Sequence, residues 1–258
     1  MPHDLSYPVA QLGAGPQTLA ELASGKGAFA EVLKGAKAQM IVVGMAALAR
    51  PDGAAVLHLA RQAAETFNMI RDGWNGFNVL HTAAARVGGL DLGFVPGKGG
   101  RDTQGILDGA SKGEIEAVYL LGADEIDMSR LGKAFVIYQG HHGDAGAHRA
   151  DVILPGAAYT EKNGTYTNTE GRVQLGRLAA FPPGEAREDW SVIRALSEVI
   201  GGRLPYDSLT ALRQRLIAVN PVFAALDQVE PAAWGAFGGA GKPSDAPFGK
   251  AIENYYMT

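Results

Sequence analysis

Four short apolar runs limit how this chain can fold: Met40-Ile41-Val42-Val43-Gly44, Ala117-Val118-Tyr119-Leu120-Leu121-Gly122, Ala134 to Tyr138, and Asp151 to Leu154. A strand wetted on one face alternates apolar and polar side chains; these runs are apolar almost throughout and are expected to be buried on both faces. Stretches with helical spacing lie among them. Val56, Leu57, Ala60, Ala63, Ala64 and Phe67 share one face of a predicted helix over 54–67, and residues 103–112 form a shorter helix ahead of the Ala117 run. Buried strands alternating with helices predict an α/β fold, a mostly parallel sheet with flanking helices.

The flanks read differently. Pro2, Pro8, Gly13, Gly15 and Pro16 break every candidate element, so residues 1–16 are expected to be an irregular lead-in. Leu19, Leu22, Ala23, Phe29, Val32 and Leu33 recur at helical spacing around Gly25 and Gly27, which predicts one broken or two short helices. Trp190, Ile193, Leu196, Ser197 and Ile200 make an amphipathic helix that stops at Gly201-Gly202, and a second runs over about 207–219. The α/β domain is therefore expected over 17–222, with residues 223–258 as a loosely packed extension whose stretch from Trp234 to Pro247 is rich in Gly, Ala and Pro.

Composition excludes several functions. With 23 basic and 27 acidic residues, a net charge of -4 and no basic run, the chain lacks the electrostatic footprint of a nucleic-acid binder. It has no cysteine, so disulfides, thiolate-bound iron-sulfur clusters, Cys-type zinc sites and a Cys nucleophile are excluded within it. Its apolar stretches are too short to cross a bilayer, and residues 1–20 lack a signal peptide's basic start and apolar core, which predicts a soluble, non-exported chain without direct membrane insertion.

Ligands of parallel sheets gather at the carboxyl ends of the strands. Here that means Gly44 to Leu48, Gly122 to Asp127, Gly140 to His148, and Pro155 onward. His141, His142, Asp144, His148 and Asp151 offer imidazole and carboxylate, yet their spacing matches no metal-ligand pattern, and adjacent histidines are expected to point apart. Gly97-Lys98-Gly99-Gly100 resembles a phosphate loop only in composition, because no Ser or Thr follows the lysine. Asn163-Gly164 is a turn signal between Tyr159 to Lys162 and Thr165 to Asn168. Beyond it, Asn168, Glu170 and Arg172 are expected to hold a turn at Gly171 through side-chain to backbone bonds and a Glu-Arg pair.

The residues Ala150-Asp151-Val152-Ile153-Leu154-Pro155, Glu161, Gly164-Thr165, Asn168 and Glu170-Gly171-Arg172 resemble the ADVVLP…E…GT…N…EGR signature of the molybdopterin oxidoreductase family. Tyr138-Gln139-Gly140-His141-His142-Gly143-Asp144, Arg187-Glu188-Asp189-Trp190, Arg194-Ala195-Leu196-Ser197-Glu198, Gly73 to His81 and Tyr255-Tyr256-Met257-Thr258 are similar to one branch of it, the large iron-sulfur subunits of respiratory complex I.

The resemblance implies a carboxyl-terminal piece of such a subunit, with 2Fe-2S and 4Fe-4S clusters held upstream, no cofactor of its own, and other peripheral-arm subunits of complex I as partners. It implies a place on the cytoplasmic side of a bacterial inner membrane, or on the matrix side in mitochondria. Where molybdoenzymes place a Thr-Glu-Thr-type stretch, this chain has Gly143-Asp144-Ala145-Gly146-Ala147-His148, so no catalytic, cofactor-binding or metal residue is carried over. The alternatives are a cofactor-binding fragment of a molybdenum or tungsten oxidoreductase, and a stand-alone metal module on His141, His142 and His148. For a chain that works by its internal bonds, Asp151, Glu161, Asn168, Glu170 and Arg172 are expected to be satisfied by backbone and by one another.

Overall fold

A computed structural model describes residues 8–229 and 231–248. The fold is mixed α/β, with parallel sheets flanked by helices, and the described residues divide into two compact units, one holding residues 8–86 and 231–248 and the other 87–229.

In the first unit the Leu19 to Leu33 stretch forms two short helices, α1 (Pro16–Ala23) and α2 (Ala30–Gly35). Strand β1 (Ile41–Gly44) leads through a 3-10 turn (Met45–Ala47) to α3 (Gly53–Thr66). The inner face of α3 is built from small residues, Ala55, Val56, Ala60, Ala63 and Ala64, which let α1 approach closely. A small hairpin, β2 (Ile70–Arg71) and β3 (Trp74–Asn75), precedes β4 (Phe77–Leu80), which pairs in parallel with β1 from Ile41↔Phe77 to Gly44↔Leu80. Strand β4 interrupts its apolar run with Asn78, so a reading based on unbroken apolar runs passes over it.

Residues 231–248 carry no helix or strand and belong to this same unit. Trp234 and Phe237 pack their rings on Phe77 at 5.3 and 5.2 Å between centroids. Arg50 is bidentate on Asp52 at 2.8 and 2.9 Å, and Asp52 Oδ2 accepts the Ser244 amide at 2.8 Å.

The second unit opens with α4 (Arg86–Asp91), whose first residue closes the unit before it, followed by α5 (Thr103–Ser111). Asp102 caps α5 by accepting the Gly105 amide at 2.8 Å. The central sheet comprises β5 (Ala117–Leu121), β6 (Phe135–Gly140) and β7 (Val152–Pro155), all parallel and in sequence order, with α6 (Ala145–Arg149) between the last two. Leu107, Ala110, Val118, Leu120, Leu131, Ala134, Val136 and Tyr138 make its core. These strands fall where the apolar runs predict them, but the Met40 run pairs with β4 in a sheet of its own.

Beyond the central sheet, β8 (Gly164–Thr167) and β9 (Val173–Gly176) form an antiparallel hairpin, and α7 (Asp189–Val199) and α8 (Leu209–Val219) follow. The hairpin corrects one expectation. Its turn lies at residues 168–172, and Tyr159–Glu161 is a 3-10 turn, not a partner strand. Asn163 is drawn away from turn formation because its backbone N–H donates to Glu188 Oε1 at 3.0 Å and its Oδ1 accepts from the Leu178 amide at 3.3 Å. Gly164 lacks the left-handed backbone that a two-residue Asn-Gly turn requires.

Candidate functional site

Three of the four loops marked by the sequence, those after Leu121, Gly140 and Pro155, leave the carboxyl edge of the β5-β6-β7 sheet. The loop after Gly44 belongs to the other parallel sheet.

Two polar networks close this edge, one on each face of the sheet. On the helix-covered face, the Tyr138 hydroxyl donates to Asp124 Oδ2 at 2.7 Å, and Asp124 Oδ1 accepts the Gly146 amide at 2.6 Å. One carboxylate thus ties the loop after β5 to the first turn of α6. A side chain at Gly146 would meet Asp124 Oδ1 at 2.5 Å and the Tyr138 ring at 2.8 Å, so this approach needs glycine. Burial, followed by the bond to Asp124 and the charges of Asp124 and Asp144, pushes the Tyr138 phenol well above its ordinary range.

On the other face Gln139 is fully buried. It accepts from the Tyr119 hydroxyl and donates to Asp189 Oδ1 at 2.9 Å and to the Asp189 carbonyl at 3.3 Å. Asp189 Oδ2 in turn accepts from the Lys162 ammonium. The neighbouring Glu188 takes the Asn163 amide through Oε1 and the Trp190 indole at 2.6 Å through Oε2. Burial pushes the Glu188 carboxyl up, but these bonds and the Arg213 charge outweigh it and hold it below its ordinary range.

The signature residues are satisfied internally. Asp151 Oδ2 accepts from the Val136 amide at 2.7 Å and from Arg149 at 3.4 Å, and Glu161 Oε2 accepts the Ala158 amide at 2.9 Å. Asn168 Oδ1 accepts the amides of Glu170 and Arg172 at 2.9 and 3.0 Å, and Arg172 pairs with Glu170 at 3.4 Å while donating to the Asp227 carbonyl. Gly171 adopts φ +86°, as the turn between β8 and β9 requires.

His141 and His142 do not point apart: their rings lie 4.2 Å between centroids. Burial, then the proximity of His142 and Lys162, pushes His141 down, against the opposing pull of Asp189 and Glu161. His148 lies in the last turn of α6, and among the described residues no group of three or more His, Asp or Glu side chains is gathered to hold a metal ion. Gly97 to Gly100 form an exposed turn closed by the Gly100 amide on the Gly97 carbonyl at 2.8 Å.

Inspection of the sequence misses the Tyr119-Gln139-Asp189-Lys162 chain as a unit. A glutamine at the end of an otherwise apolar strand is its one local signal, since a buried amide demands partners. The identity of those partners is a long-range matter.

The sequence signature described as Molybdopterin oxidoreductase matches residues 1–199. The chain belongs to the molybdopterin oxidoreductase family. Within it, the chain is 44% identical over 259 residues to the NADH dehydrogenase [ubiquinone] iron-sulfur protein 1, mitochondrial, of Solanum tuberosum, covering 99% of this chain and 34% of that protein. It is 44% identical over 228 residues to the NADH-ubiquinone oxidoreductase 75 kDa subunit of Reclinomonas americana, covering 88% and 32%. It is 41% identical over 257 residues to an NADH-quinone oxidoreductase subunit of Rickettsia bellii, covering 99% and 36%. The chain therefore spans about a third of the length of these relatives.

Proposed function

We propose that this chain is the carboxyl-terminal, architectural part of a complex I subunit that passes electrons from NADH toward quinone, with its 2Fe-2S and 4Fe-4S clusters held by cysteines in a preceding region. Its partners are the other peripheral-arm subunits, on the cytoplasmic or matrix side of the membrane. It takes no electrons and binds no cofactor; its rigidity helps to fix the separations between clusters. The identities of its relatives support this reading, and so does the internal pairing at the sheet's carboxyl edge. Gln139, Asp189 and Lys162, and Asp124 and Tyr138, direct their hydrogen bonds to one another where a family member that uses a cofactor needs groups free to bind it.

The test is to supply the purified chain with NADH and an artificial electron acceptor and to analyse it for metals. Neither turnover nor stoichiometric metal is expected, and NADH oxidation or one molybdenum or tungsten per chain overturns the reading. Family membership favours a second reading, a cofactor-binding piece of a molybdenum or tungsten oxidoreductase. Release of a fluorescent pterin on acid oxidation would establish that one instead.

A further inference from the structure

Asn163-Gly164 reads as a turn in the sequence, yet the structure sets it at the start of β8, where the role proposed above makes no use of it. The pair has a chemistry of its own. A glycine amide nitrogen has no side chain beside it, so nothing hinders its approach to the carboxamide carbon of a preceding asparagine. In a loose chain that approach ends in deamidation.

The fold holds the two reactants apart. Asn163 Nδ2 donates to Glu188 Oε1 at 3.4 Å and Oδ1 accepts from the Leu178 amide at 3.3 Å, so the carboxamide is tied at both ends. The Asn163 N–H donates to the same Glu188 oxygen at 3.0 Å. On the other side, Gly164 stands opposite Gly176. The bond from the Asn168 N–H to the Arg172 carbonyl marks the hydrogen-bonded pairs of the hairpin, which recur at every second position; Tyr166 with Gln174, and Gly164 with Gly176, are therefore such pairs as well. The Gly164 N–H is thus engaged in the ladder and unavailable for attack.

The fold also requires both residues. A side chain at Gly164 would meet the Tyr166 ring at 2.6 Å, and one at Gly176 would meet it at 2.8 Å. Asn163 serves as side-chain donor and acceptor together, which an ionised aspartate cannot do. Packing and hydrogen bonding keep a reactive pair in place, shielded only while the hairpin is closed.

We propose that Asn163 is a deamidation site whose reaction is gated by opening of the β8-β9 hairpin and guarded by Glu188. On opening, the Gly164 N–H gives its proton to solvent base and its nitrogen bonds to Asn163 Cγ. Ammonia leaves as a cyclic succinimide closes. Water then opens that ring at either carbonyl and leaves aspartate or isoaspartate, so water is taken up, ammonia is released, and nothing is oxidised or reduced. Either product puts a carboxylate opposite Glu188 Oε1 where a donor stood, and isoaspartate also lengthens the backbone just ahead of β8. The reaction therefore detaches the hairpin from the start of α7. It needs only this chain and water, and so stands whatever the chain's place in a larger assembly.

The test incubates the 258-residue chain in mildly alkaline buffer, folded and in urea, and follows aspartate and isoaspartate at each asparagine by mass spectrometry of separated peptides. A second Asn-Gly pair, Asn75-Gly76, lies in the other unit, where the Gly76 N–H donates to the Met69 carbonyl at 2.7 Å, and serves as internal control. Asn163 should react at least ~10-fold faster in urea than in the folded chain, and Glu188→Ala should raise its folded rate at least ~10-fold while Asn75 keeps its own. Glu188→Gln, the milder change if alanine disturbs folding, should give a smaller rise confined to Asn163. An Asn163 that stays intact in urea overturns the site, and a folded rate equal to that in urea overturns the gate. A Glu188 variant that folds yet leaves Asn163 unchanged, or that speeds Asn75 equally, overturns the guard.

Discussion

Gln139 on β6 and Asp189 at the start of α7, 50 residues apart in sequence, are joined by a 2.9 Å hydrogen bond that closes one face of the sheet's carboxyl edge. The bond is the middle link of a chain from Tyr119 to Lys162, and its weakest point is the carboxylate, because two donors converge on it.

Removing that carboxylate strands the Lys162 ammonium and leaves Gln139 only its longer 3.3 Å bond to the Asp189 carbonyl. Gln139 is fully shielded, and the Lys162 and Asp189 side chains are only 22% and 28% exposed. Asp189→Ala is expected to lower unfolding free energy by ~2–4 kcal/mol, and Asp189→Asn, which keeps an acceptor for Gln139, by about half as much. Urea unfolding measures both, and equal losses would show that the Gln139 bond contributes nothing.

Tyr138 gives the chain a weakness at high pH. Burial, then its bond to Asp124, raises the phenol's pKa above the unfolded value, so the protonated form favours the folded state. That contribution is fully present below about pH 10 and is lost as the pH rises further. Tyr138→Phe should be less stable by ~1–2 kcal/mol near neutrality, where Asp124 Oδ2 loses its donor. The gap should narrow at about pH 11, where ionisation of Tyr138 in the unfolded state favours unfolding of the unmodified chain and the variant has no such group. Urea midpoints at the two pH values decide the matter, because every other tyrosine is common to both proteins.

The turn between β8 and β9 rests on one amide oxygen and one glycine. Asn168→Ala removes the acceptor for two backbone N–H groups and is expected to destabilise the hairpin by ~1–2 kcal/mol, whereas Asn168→Asp keeps the acceptor and should change it by under ~0.5 kcal/mol. Gly171→Ala forces a side chain into a left-handed backbone, a cost of about 1 kcal/mol. Amide exchange of Tyr166 and Gln174, a hydrogen-bonded pair of the hairpin, reads all three. It should be fastest in Asn168→Ala and close to the native rate in Asn168→Asp; equal rates in those two variants would show that the acceptor oxygen is idle.

His81 should titrate low. Its Nδ1 is shielded without a hydrogen-bond partner, and burial, followed by the charge of Arg86, pushes the ring below its ordinary pKa. A base depressed in the folded state contributes stability above about pH 6.5 and loses it as the pH falls toward the folded value. Its ring protons, followed by NMR, should give a midpoint below ~6.5, and Arg86→Gln should move that midpoint only part of the way back, since burial is the larger cause.

Much of this fold is legible because its signals are local. The helix over 54–67 appears as Gly53–Thr66, and the runs at Ala117, Ala134 and Asp151 appear as three neighbouring strands, because side-chain periodicity and burial are fixed within a few residues. The Asn168 to Arg172 turn is readable for the same reason: its acceptor and donors lie within five positions. The Asn163-Gly164 signal misleads because a distant residue, Glu188, claims the asparagine's backbone N–H.

The sequence by itself determined the helix over 54–67, the three neighbouring parallel strands at Ala117, Ala134 and Asp151, the absence of thiolate chemistry and, through its signature residues, the family. Tertiary structure alone decided that β1 pairs with β4, that Trp234 and Phe237 pack on Phe77, that Asp124 bridges Tyr138 to Gly146, and that Gln139 finds Asp189. The physical reason is common to all of these. A residue's periodicity states that it must be buried or bonded, but which group across the chain meets that demand depends on how every other element closes around it.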